Sequence, residues 1–290
     1  IGDNAGNKTL SDHGTVAVGY YALANATTGG YNTAIGYQSL EDNVSGEFNT
    51  AVGYQTLKDA TGSRNTALGY QSLFSTTSAG NSVAVGRQAG YSVSDHGNNV
   101  YIGDASGYHQ TGESNVFIGK DSGLGTSGAD GDNNTAVGKS AGASLTSGSN
   151  NTIMGRLTAD ALTTGSSNIV IGDSALGTAT TATLNVVIGG DSMSLVPASV
   201  AIQDVVAIGQ NAFKGAGGTD TGPNGTVAIG RDSLKGLTSG TGNTAVGFES
   251  LKANQTGTHN TAFGNVALDA CTGSSNTAIG FGALGSVVGG

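Results

Sequence analysis

The chain has 290 residues, and 51 of them are Gly, more than twice the usual share of about 7%. Charged residues make up 11%, one Cys is present and the formal net charge is −9, which argues against a disulfide framework, a cysteine-based metal site and a grip on nucleic-acid phosphates. No apolar run approaches the ~18 residues of a membrane-spanning helix, and no secretory signal is visible at the N-terminus.

A short phrase recurs along the whole chain, beginning with TVAVG at 15–19, NTAIG at 32–36 and NTAVG at 49–53. Each copy ends in a glycine, here called the anchor glycine, and other positions are counted from it. Successive anchors are 16 to 21 residues apart. The anchor glycines are Gly19, Gly36, Gly53, Gly69, Gly86, Gly103, Gly119, Gly138, Gly155, Gly172, Gly189, Gly209, Gly230, Gly247, Gly264 and Gly280.

The positions around the anchor form columns. Position −1 is always apolar, position −3 is always Val, Ile or Thr, and position −4 is Asn in 12 of the 16 copies. Position −2 is Ala in 11 copies, and position +4 is Leu in nine. β-branched residues favour strands and Gly permits a tight corner, so each copy predicts a short strand, a corner, a second stretch ending in Leu, and a turn.

Three-residue strands cannot bury a core alone, whereas stacked copies can. We therefore predict an all-β solenoid of about 16 coils, each of 16–21 residues, in which residues 1–290 form a single repeat array and the Asn column forms a hydrogen-bonded ladder. Ile1 and Gly2 have the form of the end of a preceding repeat, so we expect the chain to be a fragment of a longer protein, with 285–290 as a trailing segment.

The predicted strand is apolar on both sides. Positions −3 and −1 share one side and position −2 lies on the other. One side can face the interior of its own coil, but the other needs a cover, and the array leaves no residues for a second domain. A second copy of the chain is the simplest cover, so we expect a homo-oligomer; a wide monomeric solenoid is the alternative.

No catalytic site is predicted, and neither is a cofactor. The four histidines, His13, His96, His109 and His259, fall at four different phases of the repeat, and Cys271 stands alone in a turn. We therefore expect that the protein is not an enzyme.

One loop offers a candidate metal site. Asp130, Asp132 and Asn134 alternate as Ca²⁺ ligands can, although the downstream Glu of an EF-hand loop is missing. A hydrated acidic loop is the alternative interpretation.

Position +1 holds Tyr20, Tyr37, Tyr54 and Tyr70 in consecutive copies. Tyr presents apolar area with a polar tip, so this column is our candidate receptor contact, with a stacking ladder that stiffens the array as the alternative. Three long intervals, 124–133, 194–204 and 215–225, predict protruding loops that are further contact candidates.

The Leu column changes in the middle of the chain. Gly replaces Leu at position +4 in four copies, which predicts a local change in the cross-section of the coil. The four residues are Gly90, Gly107, Gly123 and Gly142.

The phrase NTAIGYQSL…SGEFNTAVGYQTL…TGSRNTALGYQSL resembles the repeats of YadA-like heads in trimeric autotransporter adhesins and of phage tail-fibre shafts. The resemblance covers nearly the whole chain. It implies a left-handed parallel β-roll, a homotrimer, an extracellular location on a virion tail fibre or a cell surface, and attachment to a cell-surface receptor or glycan. The net charge and the lack of long apolar runs predict no nucleic-acid binding and no membrane insertion by this segment.

A different class of function stays open, namely a monomeric solenoid that acts on or binds polysaccharide, ice or mineral surfaces. An enzyme of this kind would need carboxylates gathered in one groove, whereas the sequence scatters them over many columns. Ice or mineral binding would need the column of Thr33, Thr50 and Thr66 to point outward. We do not expect this, because that column shares a side with the invariant apolar residue.

Overall fold

Sixteen three-residue strands, one in each repeat, make up the secondary structure of the computed structural model, which describes residues 1–6, 14–93, 95–198, 200–215 and 224–285. The strands are β1 (Val16–Val18), β2 (Thr33–Ile35), β3 (Thr50–Val52), β4 (Thr66–Leu68), β5 (Val83–Val85), β6 (Val100–Ile102), β7 (Val116–Ile118), β8 (Thr135–Val137), β9 (Thr152–Met154), β10 (Ile169–Ile171), β11 (Val186–Ile188), β12 (Val206–Ile208), β13 (Val227–Ile229), β14 (Thr244–Val246), β15 (Thr261–Phe263) and β16 (Thr277–Ile279).

Every strand occupies positions −3 to −1, and the strands follow one another through the sheet in chain order. Pairing is parallel and in register by repeat position, as in β2 and β3, where Ala34 lies opposite Ala51. Among the described residues there is no helix. The predicted all-β solenoid is therefore confirmed.

The chain divides into two compact units. The first comprises Ile1–Ser140 with Leu145–Ser147 and contains β1–β8, and the second comprises Ala141–Ser144 with Gly148–Gly290 and contains β9–β16. Both units are built from the same coil.

The anchor glycines have φ values from +123° to +145°, a region that L-residues rarely adopt. Neighbouring anchors also approach closely. A Cβ built on Gly172 would lie 2.5 Å from the carbonyl oxygen of Gly189 in the next turn. Only Gly meets both conditions, which explains why this position does not vary.

The Asn column forms the predicted ladder. The backbone N–H of Asn49 donates to Oδ1 of Asn32 at 2.8 Å, and Nδ2 of Asn32 donates to the carbonyl oxygen of Gly46 at 2.7 Å. Asn65 repeats the first bond to Asn49 at 2.9 Å. These side chains are fully buried, so the ladder satisfies backbone groups that water cannot reach.

Position −2 faces the interior of each coil. Ala34 and Ala51 are fully buried and lie in the same interior as the buried Leu40 and Leu57 of position +4. Positions −3 and −1 point outward, so Thr50 and Thr66 are exposed and Thr33 is half-buried. The expectation that the Thr column would not point outward was wrong, because position −2 faces the interior and the invariant apolar residue at position −1 faces outward with the Thr column.

The stretch after the anchor is a compact turn with left-handed residues at positions +2 and +4. Gln38 and Leu40 both have a φ of +52°. The N–H of Gln38 donates to the carbonyl oxygen of Tyr20 in the preceding turn at 2.8 Å, and the N–H of Leu40 donates to that of Thr56 in the following turn at 3.1 Å. The left-handed conformation costs about 1–2 kcal/mol per residue, and these bonds to both neighbours offset it.

Two aromatic rings fill the space left where Gly replaces Leu at Gly90, Gly107 and Gly123. A Cβ on Gly90 would lie 2.9 Å from Cε2 of Tyr101, and one on Gly123 would lie 2.5 Å from Cγ of Phe117. Both rings occupy position −2 and are fully buried. The predicted change in cross-section is thus an exchange of volume between the two inward-facing columns.

The Tyr101 ring carries a hydroxyl group that is buried and has no hydrogen-bond partner. Burial raises the pKa of this hydroxyl far above its ordinary value near 10. We expect Tyr101→Phe to increase the free energy of unfolding by about 1 kcal/mol at neutral pH, because the variant removes an unsatisfied polar group.

The same substitution should change the pH dependence of stability. In the wild type, the hydroxyl group of Tyr101 ionises more readily in the unfolded chain than in the folded one, so the folded state loses stability as the pH rises above about 10. Tyr101→Phe has no such group and should not show this loss. Denaturant unfolding at neutral and alkaline pH measures both effects. A variant that loses stability at neutral pH would contradict the prediction, and Tyr54→Phe, on the exposed column, is the control.

Candidate functional site

The four Tyr residues at position +1 form a continuous stack in the first unit. The ring centroids of Tyr20, Tyr37, Tyr54 and Tyr70 are 5.5, 5.1 and 5.2 Å apart, with interplanar angles of 10° or less. Each ring is about half exposed. Because the ring faces cover one another, the stack offers a partner its edges and hydroxyl groups, whereas face-on stacking of a ligand is blocked inside the column.

Two further ladders run beside other columns of the first unit. Phe74, Tyr91 and Tyr108 at position +5 stack at 5.1 and 4.8 Å. Tyr31 and Phe48 stack at 5.0 Å in the turn before the strand. These stacks were not predicted, although the equal spacing of their residues in the sequence is a signal that could have found them.

A side-chain amide ladder lies next to the Tyr column. Nε2 of Gln55 donates to Oε1 of Gln38 at 2.8 Å, and Gln71 and Gln88 continue the series at 2.9 and 3.2 Å. Arg87 donates to Oε1 of Gln88 at 2.7 Å and ends the ladder. Side chains of equal type at one position therefore bond to each other along the array, which stiffens this surface.

The outward side of the strands forms a stripe in each unit, called the apolar stripe here, with an apolar residue at position −1 of every strand and Val, Ile or Thr at position −3. Its exposed large side chains come from positions −3 and −1. In the first unit they are Val16, Ile35, Leu68, Val83 and Ile102, and in the second they are Met154, Ile169, Phe263 and Ile279. No strand residue in any copy is charged.

The second unit contains a groove of about 320 Å³ that is lined by side chains of four consecutive turns. The turn that follows Gly172 contributes Ser174, Gly177 and Thr178, and the small side chains of the first two leave a gap in the columns at positions +2 and +5. Asp160 lines the groove on one side, and Asp191 and Lys214 line it on the other. Nζ of Lys214 lies 4.0 Å from Oδ2 of Asp191. The sequence did not predict that two carboxylates would meet here.

The candidate Ca²⁺ residues have different surroundings. Asn134 is buried in the Asn ladder, where its N–H donates to Oδ1 of Asn115 at 2.8 Å. Asp132 accepts a hydrogen bond from the N–H of Glu113 at 2.7 Å, and Asp130 is exposed. Within the described residues, no group of three His, Cys, Asp or Glu side chains is placed to hold a metal ion.

The histidines and the cysteine also lie apart from one another along the array. His96 and His259 are exposed, and His109 packs edge-on against Tyr108 with a centroid distance of 4.6 Å. Cys271 is buried in a turn, and Nδ2 of Asn276 lies 3.4 Å from its Sγ. His13 lies outside the described residues.

Of the predicted loops, 124–133 is described, and 194–204 is described except for residue 199. Most of the third loop, at 216–223, lies outside the described residues, as does 286–290 of the predicted trailing segment. In the part of the chain that the structure describes, no helix has the length and apolar character needed to cross a bilayer.

Comparison with known proteins adds no assignment to this geometry. No family model, no curated protein and no solved structure matches the chain.

Proposed function

We propose that the chain is a structural and adhesive segment of a homotrimeric extracellular fibre, a phage tail fibre or a bacterial surface adhesin, that mediates attachment to a cell surface. In this proposal the coil is a left-handed parallel β-roll, and the receptor is a cell-surface protein or glycan. The observation that carries the proposal is the outward apolar stripe.

The stripe is the surface on which copies of the chain would meet. Covering a half-exposed Val, Leu or Ile contributes on the order of 1 kcal/mol, and the first unit presents five such side chains in β1, β2, β4, β5 and β6. Monomeric proteins rarely expose contiguous apolar patches of this kind.

Charge supports the same interface. The chain carries a net charge of −9, so copies repel one another at long range. The residues of the sixteen described strands carry no charge, so copies can approach along this stripe without placing like charges together. The number of copies and the hand of the coil rest on the resemblance to trimeric fibre repeats.

Light scattering in solution tests the assembly. We expect a particle mass of three times 28.3 kDa, whereas a mass of 28.3 kDa would overturn the proposal. The double variant Leu68→Lys, Ile102→Lys should lower the mass, because it places two charges inside the interface. Val44→Lys is the matched control, since Val44 is 45% exposed, close to the 47% of Leu68, but lies in a turn away from the strands.

One observation favours a second candidate, the binding of ice or mineral surfaces by a monomer. Thr33, Thr50 and Thr66 are aligned in three consecutive strands and point outward. Thermal hysteresis of the wild-type protein, with Thr50→Val as the variant, tests this candidate. A monomeric mass together with hysteresis that depends on Thr50 would support it over the fibre.

A further inference from the structure

We infer that the groove of the second unit is a binding site for one neutral pyranose residue at an end or branch of a glycan. This inference deepens the proposed attachment function and rests on it for its biological meaning. The groove residues are not strand residues, so the groove lies outside the apolar stripe.

The shape of the groove comes from two small residues in one turn. Most copies carry a longer side chain than Gly177 at position +5, such as Lys235, Lys252 or Asp160. Ser174 at position +2 likewise replaces longer residues. The resulting gap of about 320 Å³ lies at the lower end of the size range of small-molecule sites, which suits a single sugar ring.

The polar groups suit hydroxyls that both donate and accept hydrogen bonds. Asp160 has no ion-pair partner among the described residues, and burial raises the pKa of its carboxyl group. Asp191 accepts on the other side, and Lys214 can donate while remaining near Asp191. A carboxylate forms strong hydrogen bonds with neutral hydroxyls, whereas Asp160, whose charge no described cation neutralises, disfavours an anionic ligand.

A buried hydroxyl group supplies an independent indication of a ligand. Ser194 lines the groove, is only 7% exposed, and its Oγ has no hydrogen-bond partner. Buried polar atoms are nearly always paired in folded proteins. Rotation about the single χ1 angle of this serine can turn the hydroxyl towards a ligand in the groove.

Apolar side chains complete the site. Leu157 occupies position +2, where most copies have a polar residue, and Leu195 is exposed at the rim. A pyranose ring carries C–H groups on its faces and hydroxyls at its edge. Leu157 and Leu195 can pack against the C–H groups of the ring face, and the carboxylates of Asp160 and Asp191 can accept hydrogen bonds from the hydroxyls at the edge.

Saturation-transfer NMR with the methyl glycosides of glucose, galactose and mannose at millimolar concentration tests the inference. We expect at least one glycoside to bind. Gly177→Leu should abolish binding because it fills the gap, and its Cβ approaches no atom more closely than the carbonyl oxygen of Ser174 at 3.3 Å, so the coil should remain folded.

Asp160→Asn should weaken binding about tenfold, because it removes a charged acceptor. Asp269→Asn is the matched control, since Asp269 occupies the same position +5 of another turn and should leave binding unchanged. If no glycoside binds, or if Gly177→Leu binds as the wild type does, the inference is overturned. Binding of lysine methyl ester in place of the glycosides would also overturn it, in favour of a cation site.

The result is separable from the test of the fibre. Assembly is read as particle mass and sugar binding as saturation transfer. A trimer that binds none of the sugars refutes only the groove, whereas a monomer that binds one refutes only the assembly.

Discussion

Replacing Gly172 by Ala is expected to lower the free energy of unfolding of the second unit by about 3–5 kcal/mol. The φ of +141° is strained for any residue with a Cβ, and that atom would lie 2.5 Å from the carbonyl oxygen of Gly189. The N–H of Gly172 also donates to the carbonyl oxygen of Met154 at 2.9 Å, so the backbone cannot shift without losing this bond. Denaturant unfolding followed by circular dichroism, with hydrogen exchange to locate the damage, measures the effect.

Gly280→Ala is the control for this prediction. Gly280 has a φ of +123°, but no atom lies within 4 Å of the position that its Cβ would take. This variant should lose only the cost of backbone strain, about 1–2 kcal/mol. If Gly172→Ala and Gly280→Ala lowered the free energy of unfolding equally, the close approach of Gly172 to Gly189 would add nothing to the cost of the substitution.

The exchange of volume between positions −2 and +4 should appear as strong coupling in a double-mutant cycle. Phe117→Ala alone should cost about 3–5 kcal/mol by leaving a cavity. Gly123→Leu alone should also destabilise, because a Cβ there already lies 2.5 Å from Cγ of Phe117. The double variant restores the Ala and Leu combination found in half of the turns, and we expect it to recover most of the stability.

Leu is compatible with the backbone at this position. Gly123 has a φ of +54°, and Leu40 has a φ of +52° at the equivalent place. A coupling free energy of at least ~2 kcal/mol is expected. Phe117→Ala combined with Gly107→Leu is the control, because a Cβ on Gly107 meets the ring of Tyr101 and not that of Phe117. If this pair recovered stability as well, the result would argue against a specific exchange of volume between Phe117 and Gly123.

The candidate site shows where sequence reasoning stopped. The spacing of the Tyr column suggested either a receptor contact or a stacking ladder, and the structure shows that the rings stack. The groove combines Asp160 of one turn with Asp191 and Lys214 of later turns. The sequence signal that could have revealed it is the loss of long side chains at Ser174 and Gly177 in a single repeat.

The sequence by itself determined the period of the coil, the place of every strand and the Asn ladder. Anchor glycines such as Gly172 tolerate no Cβ, and a β-branched residue always precedes them by three positions, so these features repeat visibly. Alternation along a strand also determined that positions −3 and −1 share a side.

Only the tertiary structure decided which side faces inward. Both sides of the strand are apolar, so hydrophobicity does not distinguish them; the choice depends on the volume between position −2 and position +4, as Phe117 and Gly123 show. The left-handed φ of Leu40 was likewise decided by tertiary structure. An isolated chain disfavours that conformation, and hydrogen bonds to the neighbouring turns, which exist only in the stacked array, make it stable.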